Sequence, residues 1–172
     1  MAENFESDRL LFRKLDFFDS ESLFELDSDP EVHLYLGNTP VQSMDEITTA
    51  IAMIRKQYEE NGMARMAVIL KESGTFLGWA GLKLVKQEIN GHCDHYDLGY
   101  RFMKKHWGKG YATEAARAFV HYGFNVMGLT KICAYANAAN TNSHAVLDKA
   151  GLQRVGTFDD EGIPSFWYEI QK

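Results

Sequence analysis

The chain has 172 residues, 45% of them apolar and 24% charged, with a formal net charge of -6. That length suits one domain, residues 1–172, around one sizeable core, in an ordinary soluble globular class. Acids and bases are interspersed, which argues against general nucleic-acid binding and mildly favours a cationic partner.

Met1 to Asp8 is polar and is expected to be frayed or extended. Arg9 to Leu15 reads as the first strand. Asp16 or Asp19 can cap a helix running to about Asp27. Asp29-Pro30 is placed to begin another short helical turn, with Asp as cap and Pro at the first helical position. Ser43-Met44-Asp45-Glu46 has the spacing of a capping box. Ile47, Ala50, Ile51, Ile54 and Tyr58 then form one apolar stripe, ended by Asn61-Gly62. Ala64 to Lys71 and Phe76 to Val85 read as strands, joined by a hairpin turn over Glu72, Ser73, Gly74 and Thr75.

Lys86 to Asp94 is a polar loop. His92, Cys93 and His95 cluster there, but the second ligand pair of a zinc site is missing, so no metal is expected. His33, His106, His121 and His144 are isolated and receive no ligand role. The two cysteines, Cys93 and Cys133, make no disulfide framework and suggest a reducing compartment, the cytoplasm. An apolar leader and a long apolar run are both missing from the sequence, so neither secretion nor a membrane partner is expected.

Tyr96 to Gly128 organises the chain. Asp97 to Met103 reads as a strand. A glycine-bearing turn, Trp107-Gly108-Lys109-Gly110, follows. A helix comes next, with Ala112, Ala115, Ala116, Phe119, Val120, Phe124 and Met127 at the spacing of one buried face, and Gly128 as a left-handed stop. First-turn N–H groups of a helix lack partners, and the peptide dipoles add partial positive charge there. Glycines let the backbone approach an anion. The stretch therefore reads either as a cradle for a phosphate or pyrophosphate, or as a tight strand–helix turn whose glycines serve geometry alone. The P-loop string is absent. A dinucleotide fingerprint fails because position 113 is Thr and no acid lies about 20 residues on.

Thr130 to Asn137 is the next strand. A helix begins at Thr141 or Asn142 and runs through Ala150. Gly151 is placed as its left-handed cap, with Leu147 meeting Leu152 across it. Leu152 to Phe158 and Ser165 to Gln171 form a terminal hairpin around the loop from Asp159 to Pro164.

Three pieces of this sequence resemble one family. The run GYRFMKKHWGKGYATEAARAF, Gly99 to Phe119, resembles the acetyl-CoA-binding motif of the GNAT N-acetyltransferases, and more narrowly their Rim-type branch of ribosomal-protein N-terminal acetyltransferases. Asn140-Thr141-Asn142-Ser143 followed by a short helix and Gly151-Leu152 is similar to that branch's second motif. Ser7 to Arg13 is a third match. Departures are Trp107, where the wider family often carries Gln or Arg, Lys104 for a frequent proline, and Leu152 for the Phe of a Gly-Phe pair. None of them removes a backbone donor.

The resemblance implies an α+β fold, a mixed and mostly antiparallel sheet of about seven strands flanked by helices. Its central strands, ending at Met103 and Asn137, splay apart. The pantetheine arm of acetyl-CoA then fills the gap as a pseudo-strand against the backbone near Phe102, and Asn140 positions that arm or the sulfur. The pyrophosphate meets N–H groups of Trp107, Gly108, Lys109, Gly110, Tyr111, Ala112 and Thr113. The implied reaction is direct attack of a primary amine, a protein N-terminus or a small molecule, on the thioester. A backbone N–H near Tyr100 to Phe102 would hold the oxyanion. Ser143 would give a proton or hydrogen bond to the leaving thiolate, unless it serves only as a helix-start residue satisfying backbone donors. Asp97 would relay the amine proton, unless it is an exposed strand-end carboxylate. The alternative is a non-catalytic acetyl-CoA-binding module with the same fold. A monomer and a homodimer are equally compatible with the sequence.

Overall fold

The computed structural model describes residues 3–172. In chain order the elements are β1 (Phe5–Glu6), β2 (Leu10–Lys14), α1 (Ser20–Asp27), α2 (Met44–Asn61), β3 (Arg65–Leu70), β4 (Thr75–Val85), β5 (His95–Phe102), α3 (Tyr111–Asn125), β6 (Lys131–Asn137), α4 (Thr141–Lys149), β7 (Gln153–Asp160) and β8 (Ile163–Gln171). The strands form one sheet in the order β1-β2-β3-β4-β5-β6-β8-β7.

Every neighbour is antiparallel except β5 and β6, which are parallel and share a single register pair, Asp97 with Cys133. The outer sides of both strands are fully laddered. β5 pairs with β4 from His95 to Phe102, and β6 pairs with β8 from Lys131 to Asn137. The two strands therefore touch once and then part, and this is the splay at the centre of the sheet.

Alternation along the strands gives the sheet two buried faces. Met66, Val68, Leu82, Leu98 and Phe102 face α3 and α4, where Ala115, Phe119 and Leu147 complete one core. Ala67, Ile69 and Phe76 face α1 and α2, against Leu23, Leu26, Ile47 and Ile51. Helix α3 lies close on its face because Gly123 has no side chain: a Cβ there would sit 2.8 Å from Ile132 Cδ1 and 2.9 Å from Leu82 Cδ1. Among the described residues no helix is long and apolar enough to cross a membrane.

Several boundaries differ from expectation, each for a local reason. The segment expected to be frayed or extended is extended at Phe5–Glu6 and adds an eighth strand, because Phe5 stacks on Phe12 at 4.7 Å and Tyr122 at 4.4 Å. Asp16 caps only a 3-10 turn, Phe17–Asp19, and α1 starts after it. Asp29-Pro30 opens the expected single helical turn, with His33 N donating to Asp29 O at 3.3 Å, but no helix continues from it: Glu31 N donates to the Asp29 side chain at 2.9 Å, and Leu36 N and Asn38 N both donate to His33 O. Helix α3 ends at Asn125, before the left-handed Gly128. The terminal loop shrinks to Glu161-Gly162, both left-handed, the turn type that matches strand twist.

The expected cap of α4 forms, and of the expected α2 capping box one half does: Glu46 Oε1 accepts from Gln42 N and Ser43 Oγ, not from Ser43 N. Ser43 Oγ accepts from Glu46 N, and Gly62 stops α2 with φ 75°. At the end of α4, Gly151 N donates to Asp148 O (3.0 Å) and Leu152 N to Leu147 O (3.1 Å). That is the paired bonding of a Schellman cap, with buried Leu147 and Leu152 closing it.

Candidate active site

Strand β5 delivers the chain to the glycine turn. A short 3-10 segment, Lys104–His106, is followed by Gly108 and Gly110, both left-handed with φ of 74° and 80°. The first bond of α3 runs from Glu114 N to Gly110 O at 3.0 Å. Among the described residues, the N–H groups of residues 108–113 donate to no protein atom. A row of free donors on a helix N-terminus is an anion site in waiting.

Three anchors hold the turn. Trp107 Nε1 donates to Phe102 O at 2.7 Å. Arg9 Nη1 donates to Lys109 O at 3.0 Å. Glu114 Oε1 accepts from Ser7 Oγ (2.7 Å) and Arg9 N (2.8 Å), while its Oε2 meets Arg9 Nε at 2.7 Å. Burial pushes the Glu114 carboxyl up, but these bonds outweigh it and leave its pKa below the usual value. Beside the turn runs a groove of about 620 Å³ whose basic side chains are Arg9, Arg117 and Lys149.

The remaining expected site residues fall as follows. Gly108, Lys109, Gly110, Tyr111, Ala112 and Thr113 make the turn and first helical residues, and the Arg9 guanidinium lies over the Tyr111 ring at 4.6 Å. The Phe102 side chain is buried, and its carbonyl accepts one bond, from Trp107 Nε1, with a second lone pair left to it. Asn140 caps α4 through its Oδ1, which accepts from Ser143 N at 3.1 Å. Ser143 is therefore not the capping residue. Its hydroxyl meets the Tyr100 hydroxyl at 2.9 Å instead.

Asp97 is not an exposed strand-end carboxylate. It is 8% exposed and paired with Arg65, whose guanidinium also donates to Asp97 O and Gly81 O. Space for that guanidinium comes from Gly99: a Cβ there would lie 2.5 Å from Arg65 Nη2. Among the described residues Asp97 Oδ1 accepts no bond. A second pair, Arg101 with Asp27 at 2.6 Å, lies on the same face. Between the two arginines sits Trp79, with guanidinium carbons 5.6 Å and 5.0 Å from its ring. Farther along, Trp167 stacks between His92 (4.7 Å) and Tyr135 (6.1 Å). Burial lowers the pKa of His33 and His95, and raises Cys133 to about 11. Among the described residues no group of three or more His, Cys, Asp or Glu is arranged to hold a metal.

Arg65 and Trp79 lie outside the matched motifs, and the side chains of Tyr100 and Arg101, though inside the Gly99–Phe119 run, were given no role. One clue was present: an arginine opening an otherwise apolar strand must find a partner if it is buried.

Residues 9–153 match the family model described as the acetyltransferase (GNAT) domain. The chain belongs to the GNAT acetyltransferase family. It is 33% identical over 158 residues to the uncharacterized N-acetyltransferase p20 of Bacillus licheniformis, covering 92% of this chain and 86% of that protein. Its fold is similar to the GNAT-family acetyltransferase from Bacillus anthracis, with a TM-score of 0.80 and 29% identity over 98% of each chain. It is also similar to spermidine N-acetyltransferase from Vibrio cholerae, determined with CoA and spermine, with a TM-score of 0.78 and 20% identity over 96% of each chain. This GNAT domain thus has the α+β architecture that its motifs implied, and it is an acetyl-CoA-dependent acyltransferase.

Proposed function

We propose that this GNAT enzyme moves an acetyl group from acetyl-CoA to a primary amine by direct attack, as a single-domain cytoplasmic protein of the Rim-type branch. The observation that carries the reading is the row of free N–H groups at residues 108–113, set at the open end of a split between β5 and β6. Backbone groups along the split lack a neighbouring strand, and buried unpaired groups are costly. An extended amide-bearing arm satisfies them, while the diphosphate takes the free donors. In the adjoining groove Arg9, paired with Glu114, Arg117 and Lys149 outnumber the acids Asp8 and Glu114 and suit further phosphate charge.

The amine enters from the α1–α2 face and attacks the thioester carbonyl. A main-chain N–H of β5 near Tyr100 stabilises the oxyanion. Asp97, held by Arg65 with Oδ1 unengaged, accepts the amine proton through water. An α-amine needs only modest help, since its pKa of about 8 leaves a fraction neutral near pH 7. Ser143 donates a hydrogen bond to the departing sulfur. The acceptor is a protein N-terminus or a small-molecule amine; the spermidine enzyme of like fold acts on the latter.

The test is thiol release from acetyl-CoA across peptides of varied first residue, polyamines and aminoglycosides. Turnover with one amine class is expected. Tight CoA binding with no turnover on any amine would make the chain a binding module.

A further inference from the structure

The donor set around Ser143 contains a residue that no motif assigns. Tyr100 lies on β5, three positions past the contact with β6, and packs among the residues under α3 and α4. Its hydroxyl is 2.9 Å from Ser143 Oγ and 3.1 Å from Ser143 O. This hydrogen bond spans the split in the sheet, because Ser143 belongs to α4, which follows β6. It therefore ties the two diverging halves together beside the gap.

The hydroxyl groups hold two protons for three oxygens, and two arrangements are possible. In one, the phenol donates to Ser143 O and the serine donates back to the phenol. In the other, the phenol donates to Ser143 Oγ and the serine proton is free to point elsewhere. Helical serines often bond a carbonyl of the preceding turn. Ser143 makes no such bond among the described residues, and Asn140 already satisfies its N–H.

We propose that Tyr100 is the positioning residue for Ser143: the phenol donates to Ser143 Oγ and holds the serine O–H toward the leaving sulfur of the thioester. This rests on the reading of Ser143 given above. In the step itself the C–S bond of the tetrahedral adduct breaks and its electron pair goes to sulfur. Ser143 donates a hydrogen bond to that developing thiolate, strengthened by the bond it receives from Tyr100. The sulfur then takes, through solvent, the proton that the amine nitrogen lost. No proton leaves Tyr100, whose phenol burial keeps in its neutral, donating form.

A double-mutant cycle tests it. Ser143→Ala is expected to lower kcat by about 10- to 100-fold, and Tyr100→Phe by about 10-fold, with the KM for acetyl-CoA and its calorimetric affinity within roughly 2-fold of wild type. Added to Ser143→Ala, Tyr100→Phe should cost less than about 2-fold more, because the group it orients is gone. In a Ser143→Thr background, which keeps the hydroxyl, the Tyr100→Phe loss should return. An equal loss from Tyr100→Phe in the Ala and wild-type backgrounds would make the tyrosine merely structural and overturn the proposal. So would wild-type kcat in Tyr100→Phe beside an impaired Ser143→Ala. Wild-type turnover in Ser143→Ala would instead remove the serine reading, and the tyrosine's role with it.

Discussion

The two sides of the split sheet are built from different materials. On the α3 side, the turn from Gly108 to Thr113 offers main-chain N–H groups, the Trp107 N–H being taken by Lys104 O, and the Trp107 and Arg9 side chains hold the turn still. On the α1–α2 side, the surface consists of side chains from separate strands and from α1: Arg65 with Asp97, Arg101 with Asp27 of α1, and Trp79 between the arginines. A main-chain site needs a backbone path and tolerates many side chains. A side-chain site needs particular partners at one place. On the proposed reading, the first holds the acetyl-CoA and the second faces the amine.

The contrast breaks most visibly at Arg65. Replacing it by Ala leaves Asp97 as an unpaired carboxylate, 11% exposed at its side chain. Breaking a buried pair from one side costs about 3–5 kcal/mol. Denaturant unfolding of Arg65→Ala should register that loss, and removing both partners with Arg65→Met and Asp97→Leu should recover much of it. A loss below about 1 kcal/mol would mean that water screens the pair.

Next in size is Gly110→Asp. A carboxylate there stands in the space proposed for a diphosphate, on a backbone with φ 80°. Like charges at contact distance in a partly desolvated site oppose each other strongly. CoA affinity, measured by calorimetry, should fall by roughly 100-fold. Unchanged affinity would remove the anion-cradle assignment while leaving the α1–α2 side untouched.

The same contrast explains what a reader of the sequence recovers. The turn and α3 are legible because Gly108, Gly110 and the apolar stripe act through nearest neighbours along the chain. The Schellman cap at Gly151 is legible for the same reason. Strand β1 was hidden because Phe5 earns its place only by stacking on Phe12 and on Tyr122 of a helix far along the chain. Arg65 finds Asp97 across 32 positions, and Tyr100 finds Ser143 across 43. No local periodicity encodes such pairings. Asp97 was therefore picked for its strand position, while the burial and partner that set its chemistry stayed out of sight.

The strap between the N-terminal segment and the turn has a pH signature. Glu114 has a folded-state pKa below its usual 4.5. Its stabilising contribution is present above that value and is lost as the pH falls through the lowered one. His33 and His95 act earlier: burial lowers their pKa, so below about 6.5 the unfolded chain binds protons that the folded chain resists. Stability should decline gently from pH 6.5 and more steeply below 4.5. Glu114→Gln should cost about 1–2 kcal/mol at neutral pH and flatten only the steeper limb. An identical acid limb in wild type and variant would mean that Glu114 is not what ties residues 7–9 to α3.

The smallest expected effect falls on Asn140, where the two kinds of site meet. Its Oδ1 is committed to capping α4, whereas its side-chain NH2 donates to no atom among the described residues. Asn140→Ala removes both functions and should cost about 1 kcal/mol of stability through the lost cap. Asn140→Asp keeps an acceptor at the helix start, where negative charge is favoured, and deletes only the donor. If the NH2 group holds the pantetheine arm or the sulfur, the Asp variant keeps wild-type stability while CoA affinity or kcat falls in both. If Asn140 is only a cap, the Asp variant matches wild type in melting temperature, CoA affinity and turnover alike. The residue would then serve catalysis only by fixing where α4 begins, and so where Ser143 stands.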